Sequence, residues 1–391
     1  MIQLEKARAL AEKYTIRPGT ETVSLEDALG RVLAEDVYAD RDAPPFPRAT
    51  MDGYACRQED LPGPLEVLET IPAGNMPTRK IEPGQCSKIM TGAMVPEGAD
   101  CVIMQEYVKS EANGTIIFTD SETNVNIDPR GQDLKEGDLL LQKGTRMTPG
   151  HLGIISSSGM TQVRVARSLV IGILATGSEL IETDQLPEGT QIRNSNSHQL
   201  AGQVRQAGHI PRLLGIVEDQ REVLAKRISV SIENLDLLIL TGGASVGELD
   251  LVPGVLEELG FRLEYDRVAM QPGKPVSFAH RNEKVCFGLS GNPVSSFVQF
   301  EMLVRPYLDT CTGAIPVNRR ITIRMGKDFE RKKVDRHLFL PVFINGEGIC
   351  EPVDFHGSGH LHALDKAIGF AEIPAGHTVI RKGDFVNVRL I

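Results

Sequence analysis

The chain has 391 residues, 41% hydrophobic and 24% charged, which is room for several ordinary globular domains. Its net charge of −10 argues against a nucleic-acid backbone as the main partner, and no apolar run approaches the ~20 residues that span a bilayer. The six cysteines show neither a C-x-x-C nor a zinc spacing and no secretory leader is read, so a reduced, cytoplasmic protein is expected.

Leu4, Ala7, Leu10, Ala11 and Tyr14 share one helical face. Ser24, with Asp27 three residues on, reads as the capping box of a second helix burying Leu25, Leu29, Val32 and Leu33. Pro44-Pro-Phe-Pro47 ends that regularity and sets a boundary near residue 43. To residue 136 the chain is turn-rich, with short strands expected at 67–71, 101–107 and 115–119, an all-β insertion. Pro149 opens a short helix through Leu152 and Ile155, expected to pack on the N-terminal helices.

From Ser168 strands and helices alternate. Strands are expected at 169–175, 211–217 and 236–241, and helices at 196–207 and 221–232, the pattern of a βαβ domain with a parallel sheet. The final segment turns to strands again at 321–325, 338–344, 370–373 and 386–390, which suggests a small sandwich or barrel. The fold class is thus multidomain α/β plus β.

The chemistry-bearing residues gather where strands of the α/β segment are expected to end. The run 236–241 stops at Gly242-Gly-Ala-Ser245-Val-Gly247-Glu248-Leu-Asp250. Val268 to Met270 leads into Gln271-Pro-Gly-Lys274-Pro275, and Val285 to Gly288 into Leu-Ser290-Gly-Asn292-Pro293-Val-Ser295. In open α/β sheets ligands bind beside the carboxyl ends of strands. Asn292 suits an N-cap and Pro293 a first turn, with Phe297, Glu301 and Arg305 continuing the helix. Free amides at that start, with Lys274 nearby, point to a phosphate or other oxyanion. Glu179, Asp219 and Asp250 fall at the same expected sheet edge, an acid/base or metal set weighed against three solvated surface carboxylates.

Two further motifs carry less. Gly243-Ala-Ser245-Val-Gly247 matches the nucleophile elbow of serine hydrolases, with Asp266 and His280 as possible partners, but Pro253 and Gly254 crowd the helix that should follow. A glycine-rich ligand loop is the plainer reading. His356-Gly-Ser358-Gly-His360-Leu-His362 fits no zinc-protease spacing and reads as a polar loop. Neither G-x-G-x-x-G nor a Walker-type motif is present.

Taken in order, several segments resemble the MoeA family, the molybdopterin molybdenumtransferases, to which the gephyrin E-domain is related. They are Pro44-Pro-Phe-Pro-Arg-Ala-Thr-Met-Asp52-Gly-Tyr-Ala, Ile89-Met-Thr91-Gly-Ala93 and Gly131-Gln-Asp133, then Thr176-Gly-Ser-Glu-Leu180 and Asn194-Ser-Asn196. Thr241-Gly-Gly-Ala-Ser-Val-Gly247, Pro272-Gly-Lys-Pro275, Gly291-Asn-Pro-Val-Ser295 and His356-Gly-Ser358-Gly complete the series. Each is weak alone; the ordered set is specific and spans nearly the whole chain.

The resemblance implies a helical linker domain (1–43 and 137–166), an inserted β domain (44–136), a MogA-like α/β domain with a mostly parallel sheet (167–312) and a C-terminal β barrel (313–391). It implies a cytoplasmic homodimer whose β insertion completes the partner's cleft. It also implies insertion of molybdate into adenylated molybdopterin with release of AMP, assisted by Mg²⁺ or a similar divalent ion. Other proteins of molybdenum cofactor synthesis and apo-molybdoenzymes are the implied protein partners. By the same resemblance Glu179, Asp219, Asp250 and Lys274 are the catalytic candidates, with Asp219 and Asp250 as metal ligands. Asp52, Thr91, Asp133, Ser245, Pro275, Asn292, Ser295, Arg336 and Ser358 are the substrate-binding candidates. A non-catalytic pterin-binding or scaffold protein on the same fold is the alternative. The chain departs from the usual family pattern at Ala49, Asp128, Gln271 and Ser290, where serine, arginine, lysine and proline respectively are common.

Overall fold

Leu237–Thr241 is buried at all five positions, and its alternate side chains serve two different cores. Leu237 and Ile239 join one cluster, Leu238 and Leu240 the other. A strand covered on both faces has no polar face to show, which is why its sequence is uninterruptedly apolar. Truncating Ile239, fully buried, to alanine would cost about 2–5 kcal/mol. The computed structural model describes residues 1–242 and 251–391, so Ser245, Glu248 and Asp250 lie outside the described residues.

The strand belongs to a six-stranded sheet built from β1 (Val170–Thr176), β2 (Ile210–Val217), β3 (Leu237–Thr241), β4 (Arg262–Arg267), β5 (Pro275–Arg281) and β6 (Lys284–Leu289). The spatial order is β2-β1-β3-β6-β5-β4. The first four are mutually parallel; β5 runs antiparallel to β6, and β4 antiparallel to β5. Five of the six strands therefore run one way, and the sheet is mixed rather than purely parallel. Helices cover both faces. Ser195–Gln206 places Leu200, Ala201 and Val204 in the first core, and Arg221–Ile232 places Leu224, Ile228 and Ile232 in the second. The strand order reverses between β1 and β3, which opens a crevice at their carboxyl ends.

The chain divides into two compact units. One comprises 1–35, 143–149 and 162–391; the other comprises 36–142 and 150–161. The second unit is built on a six-stranded sheet in the order 101–104, 53–56, 85–89, 65–71, 115–118, 108–110. The expected strands are present there, except that 105–107 is a 3₁₀ turn. The helix Pro149–Ser157 forms as expected, but residues 150–161 cluster with this unit and not with the N-terminal helix.

Two other expectations are corrected. No helix begins at Ser24. Thr20–Ser24 is a strand paired antiparallel with Gln162–Ala166, and the Ser24 hydroxyl accepts from the Asp27 amide (3.2 Å) within a turn. Gly30 then adopts φ +76 and Leu29 is exposed. The local hydrogen bond of a capping box is real, but a partner strand distant in sequence takes the backbone first. In the C-terminal region all four expected strands appear, within a six-stranded sheet whose path runs 270–271, 337–344, 369–373, 385–390, 320–324. Residues 350–352 pair on 337–344, and just past the 320–324 margin they meet the chain, among the described residues, through one bridge, Met325–Cys350, the Gly326 amide donating to the Cys350 carbonyl, and the Lys327–Glu351 ion pair, not through a ladder. A closed barrel is therefore not established. Among the described residues no helix is long and apolar enough to cross a membrane.

Candidate functional site

A cleft of about 900 Å³ opens at the crevice, and Glu179, Lys274, Pro275, Asn292, Ser295, Arg336 and Ser358 all line it. Its floor is made of close backbone contacts. Gly242, at the end of β3 with φ +98, leaves no room for a side chain: a Cβ would lie 2.0 Å from the Thr176 carbonyl oxygen. Gly291 packs on Gly242 in turn, 3.4 Å from its Cα to an added Cβ.

The loop 272–275 reaches this edge by a route the sequence did not suggest. Met270–Gln271 is not a strand of the α/β sheet; it pairs in parallel with His337 and Leu338 of the C-terminal sheet. The loop precedes β5 rather than ending a strand of that sheet. Because β5 runs antiparallel to β6, with Ser277 opposite Gly288, its first residue Pro275 sits beside the carboxyl end of β6. An amino end thus takes the place expected for a carboxyl end. The same 270–271 pairing brings Arg336, the residue before His337, alongside. Ser358 is held at the helix start by its carbonyl, which accepts the Val294 amide at 3.0 Å.

Pro293–Gln299 forms the predicted helix, continued by a π turn at Phe300–Val304 and by Arg305–Thr312. Asn292 occupies the N-cap position, but its side chain makes no capping hydrogen bond and lies at the cleft. Further along, Glu301 and Arg305 form a buried pair at 2.6 Å, with Gln203 donating to Glu301 at 2.7 Å.

The cleft is locally positive in a protein of net charge −10: Arg193, Lys274 and Arg336 line it against the single described carboxylate, Glu179. Lys274 is half-buried, and among the described residues no carboxylate lies within 4.0 Å of its ammonium. Arg336 sits 3.6 Å from Asp335, yet its buried Nε has no hydrogen-bond partner among the described residues. Gln271 has a buried Oε1 equally without one. Such groups are costly to leave unpaired and are the natural contacts of a polar ligand.

Asp219 is exposed, two residues beyond the buried Val217 that ends β2, and does not line the cleft. Asp52, Thr91 and Asp133 lie in the second unit. Asp52 accepts from both the amide (2.7 Å) and the hydroxyl (2.8 Å) of Thr91, and those two bonds hold its carboxyl below the usual range. Asp133 lies 3.7 Å from Arg48, whose guanidinium is bonded more closely, at 2.9 Å, by Asp128. The family departure at 128 is therefore matched to a local arginine. His280, offered above as a hydrolase partner, is instead stacked on Tyr14 and bonded to Glu264 at 3.2 Å. His356 and His360 stack on each other, and among the described residues no group of three metal-ligating side chains forms.

Sequence reasoning missed Asn196 and Gln299 as site residues. Asn196 is nearly buried in the first turn of its helix, where it donates to Thr241 Oγ1 (2.9 Å) and the Gly291 carbonyl (2.8 Å). The Asn194-Ser-Asn196 motif was the available signal. Gln299 offered none, since one glutamine on a helix reads as a solvated position.

Family models match along the chain: the MoeA N-terminal region (domain I and II) at residues 2–159, a "probable molybdopterin binding domain" at 172–310 and the MoeA C-terminal region (domain IV) at 322–391. The chain is 36% identical to the molybdopterin molybdenumtransferase of Bacillus subtilis over 386 residues, covering 95% of this chain and 90% of that one. It is 33% identical to the Haemophilus influenzae molybdopterin molybdenumtransferase, covering 99% and 98%. The crystal structure of a molybdopterin biosynthesis moeA protein from Pyrococcus horikoshii superposes with TM-score 0.84 at 30% identity, covering all of both chains.

Proposed function

The chain belongs to the MoeA family and is a transferase of molybdenum cofactor biosynthesis, and from that premise we propose that it inserts molybdate into adenylated molybdopterin with release of AMP. The observation that carries this reading is a positive cleft in an acidic protein, where among the described residues no carboxylate lies within 4.0 Å of the Lys274 ammonium and Arg336, 3.6 Å from Asp335, keeps a buried Nε without a hydrogen-bond partner. Molybdate and the phosphates of the pterin nucleotide are all anions. An ammonium, a guanidinium fork, the hydroxyls of Ser295 and Ser358 and the start of a helix are suitable hosts for them. Lys274 would orient the oxyanion and Arg336 would clamp a neighbouring phosphate or molybdate oxygen.

For a hard divalent ion such as Mg²⁺ the cleft offers one described carboxylate, Glu179, with Asp219 outside its lining. Glu179 lines the cleft with no cation within 4.0 Å among the described residues, and Asp219 stands exposed at the same strand edge. Mg²⁺ is commonly held by one or two carboxylates together with substrate phosphates, so a three-residue cluster is not required. Bound with the substrate, it would offset phosphoanhydride charge as AMP departs. Asp250, the other candidate ligand, lies outside the described residues. We further propose that the protein works as a homodimer in the cytoplasm and exchanges cofactor with other proteins of the pathway and apo-molybdoenzymes.

The test is AMP release from adenylated molybdopterin on addition of molybdate and Mg²⁺. Wild type should release AMP and Lys274→Ala should not at the same molybdate concentration. Absence of release from wild type would favour the scaffold alternative.

A further inference from the structure

We infer that Gln299 is a positioning residue that ties the Lys274 loop to the Ser290 loop through one buried carboxamide, and thereby sets the oxyanion subsite; this rests on the reading above. Gln299 is completely buried on the helix behind the cleft. Its Nε2 donates to the carbonyls of Gly273 (2.9 Å) and Pro275 (2.7 Å), the residues on either side of Lys274. Its Oε1 accepts the backbone amide of Ser290 at 2.8 Å. Both donors and the acceptor of one side chain are thus used, and all go to backbone of cleft loops.

The bond needs a backbone N–H at position 290, which serine supplies and a proline would lack. Ser290→Pro would remove that donor and leave a buried Gln299 oxygen without it. The Ser290 loop is held from its other side as well, since its carbonyl accepts from Thr241 Oγ1 at 3.2 Å. Gly273 completes the fit: at φ +98, an added Cβ would lie 2.8 Å from Gln299 Cγ. Two carbonyls flanking one lysine are fixed by a rigid amide, so the backbone that carries the lysine is placed before the anion arrives. Pre-organisation of this kind lowers the ordering cost of binding.

Hydrogen–deuterium exchange on the full-length protein tests the brace without reference to activity. Gln299→Met keeps the side chain's length and removes all three bonds, so amides of residues 270–276 should exchange faster than in wild type. Ser290→Pro, which removes the Oε1 bond alone, is the second variant should Gln299→Met not fold, and Ser290→Ala, which keeps the amide and loses only the hydroxyl that accepts the Asn292 amide at 3.2 Å, is the control that should leave residues 270–276 as they are. In AMP release, Gln299→Met should raise KM for molybdate on the order of tenfold and change kcat less. Unchanged exchange in both variants, or a loosened loop with unchanged KM in an active enzyme, would overturn the inference. If wild type releases no AMP, the proposed reaction fails, and the exchange measurement still decides whether the brace exists.

Discussion

Acidification should destabilise the protein through His209, by an amount that can be worked out. The imidazole is 6% exposed, where the helix 195–206 hands over to β2. Its Nδ1 accepts the Leu169 amide at 3.2 Å, which assigns the proton of the neutral ring to Nε2, and that atom has no partner among the described residues. Burial, then Arg146, Arg31 and Arg305, push its pKa down from 6.5 to about 3, against a small opposing pull from Asp236. The native state therefore stays neutral while the unfolded chain takes up a proton below 6.5, so stability falls as pH drops from about 6.5 towards about 3. At pH 5 the loss depends almost wholly on the unfolded value and amounts to about 2 kcal/mol relative to pH 7. His209→Asn keeps an acceptor for the Leu169 amide and does not titrate. Denaturant unfolding of both proteins at pH 7 and pH 5 should show wild type losing about 2 kcal/mol more than the variant. Equal pH dependence in the two would refute the argument.

Other perturbations bear on the cleft. Lys274→Ala should weaken molybdate binding by about ten- to a hundredfold in isothermal titration, the usual scale for a lost charged hydrogen bond. Gln271→Lys should strengthen it by several-fold, on the order of one exposed charge interaction; no change in either would move the oxyanion site elsewhere. Gly242→Ala should lower stability by about 2–4 kcal/mol and shift the thermal midpoint, because a Cβ would sit 2.0 Å from the Thr176 oxygen at φ +98. Mixed Asp52→Ala and Lys274→Ala subunits should recover part of the activity that each lacks alone, and a strictly monomeric mass would dispose of that expectation.

Read alone, the sequence determined whatever local periodicity and backbone chemistry control. Leu237–Thr241 had to be buried on both faces because it is apolar throughout, and Pro293 had to open a helix because its ring suits a first turn and no amide is wasted there. That the glycine- and proline-rich loops with Lys274, Asn292 and Ser295 would gather at one sheet edge was legible for the same reason, and they do line one cleft. Ser24 marks the limit. Its hydrogen bond to Asp27 forms in the structure, yet the choice between helix and strand was made by Gln162–Ala166, a partner no local rule can see. The loop 272–275 lines the cleft, as expected, but reaches it by another topology, because strand direction depends on pairing between β5 and β6 and not on either strand's composition. Arg336 and Ser358 came from the resemblance; what seats them is the 270–271 pairing with the C-terminal sheet and the Ser358 carbonyl on Val294. Gln299 was silent for the most general of these reasons. A buried carboxamide is distinguished from a solvated one only by its three partners, and those arrive from segments that become neighbours when the chain folds.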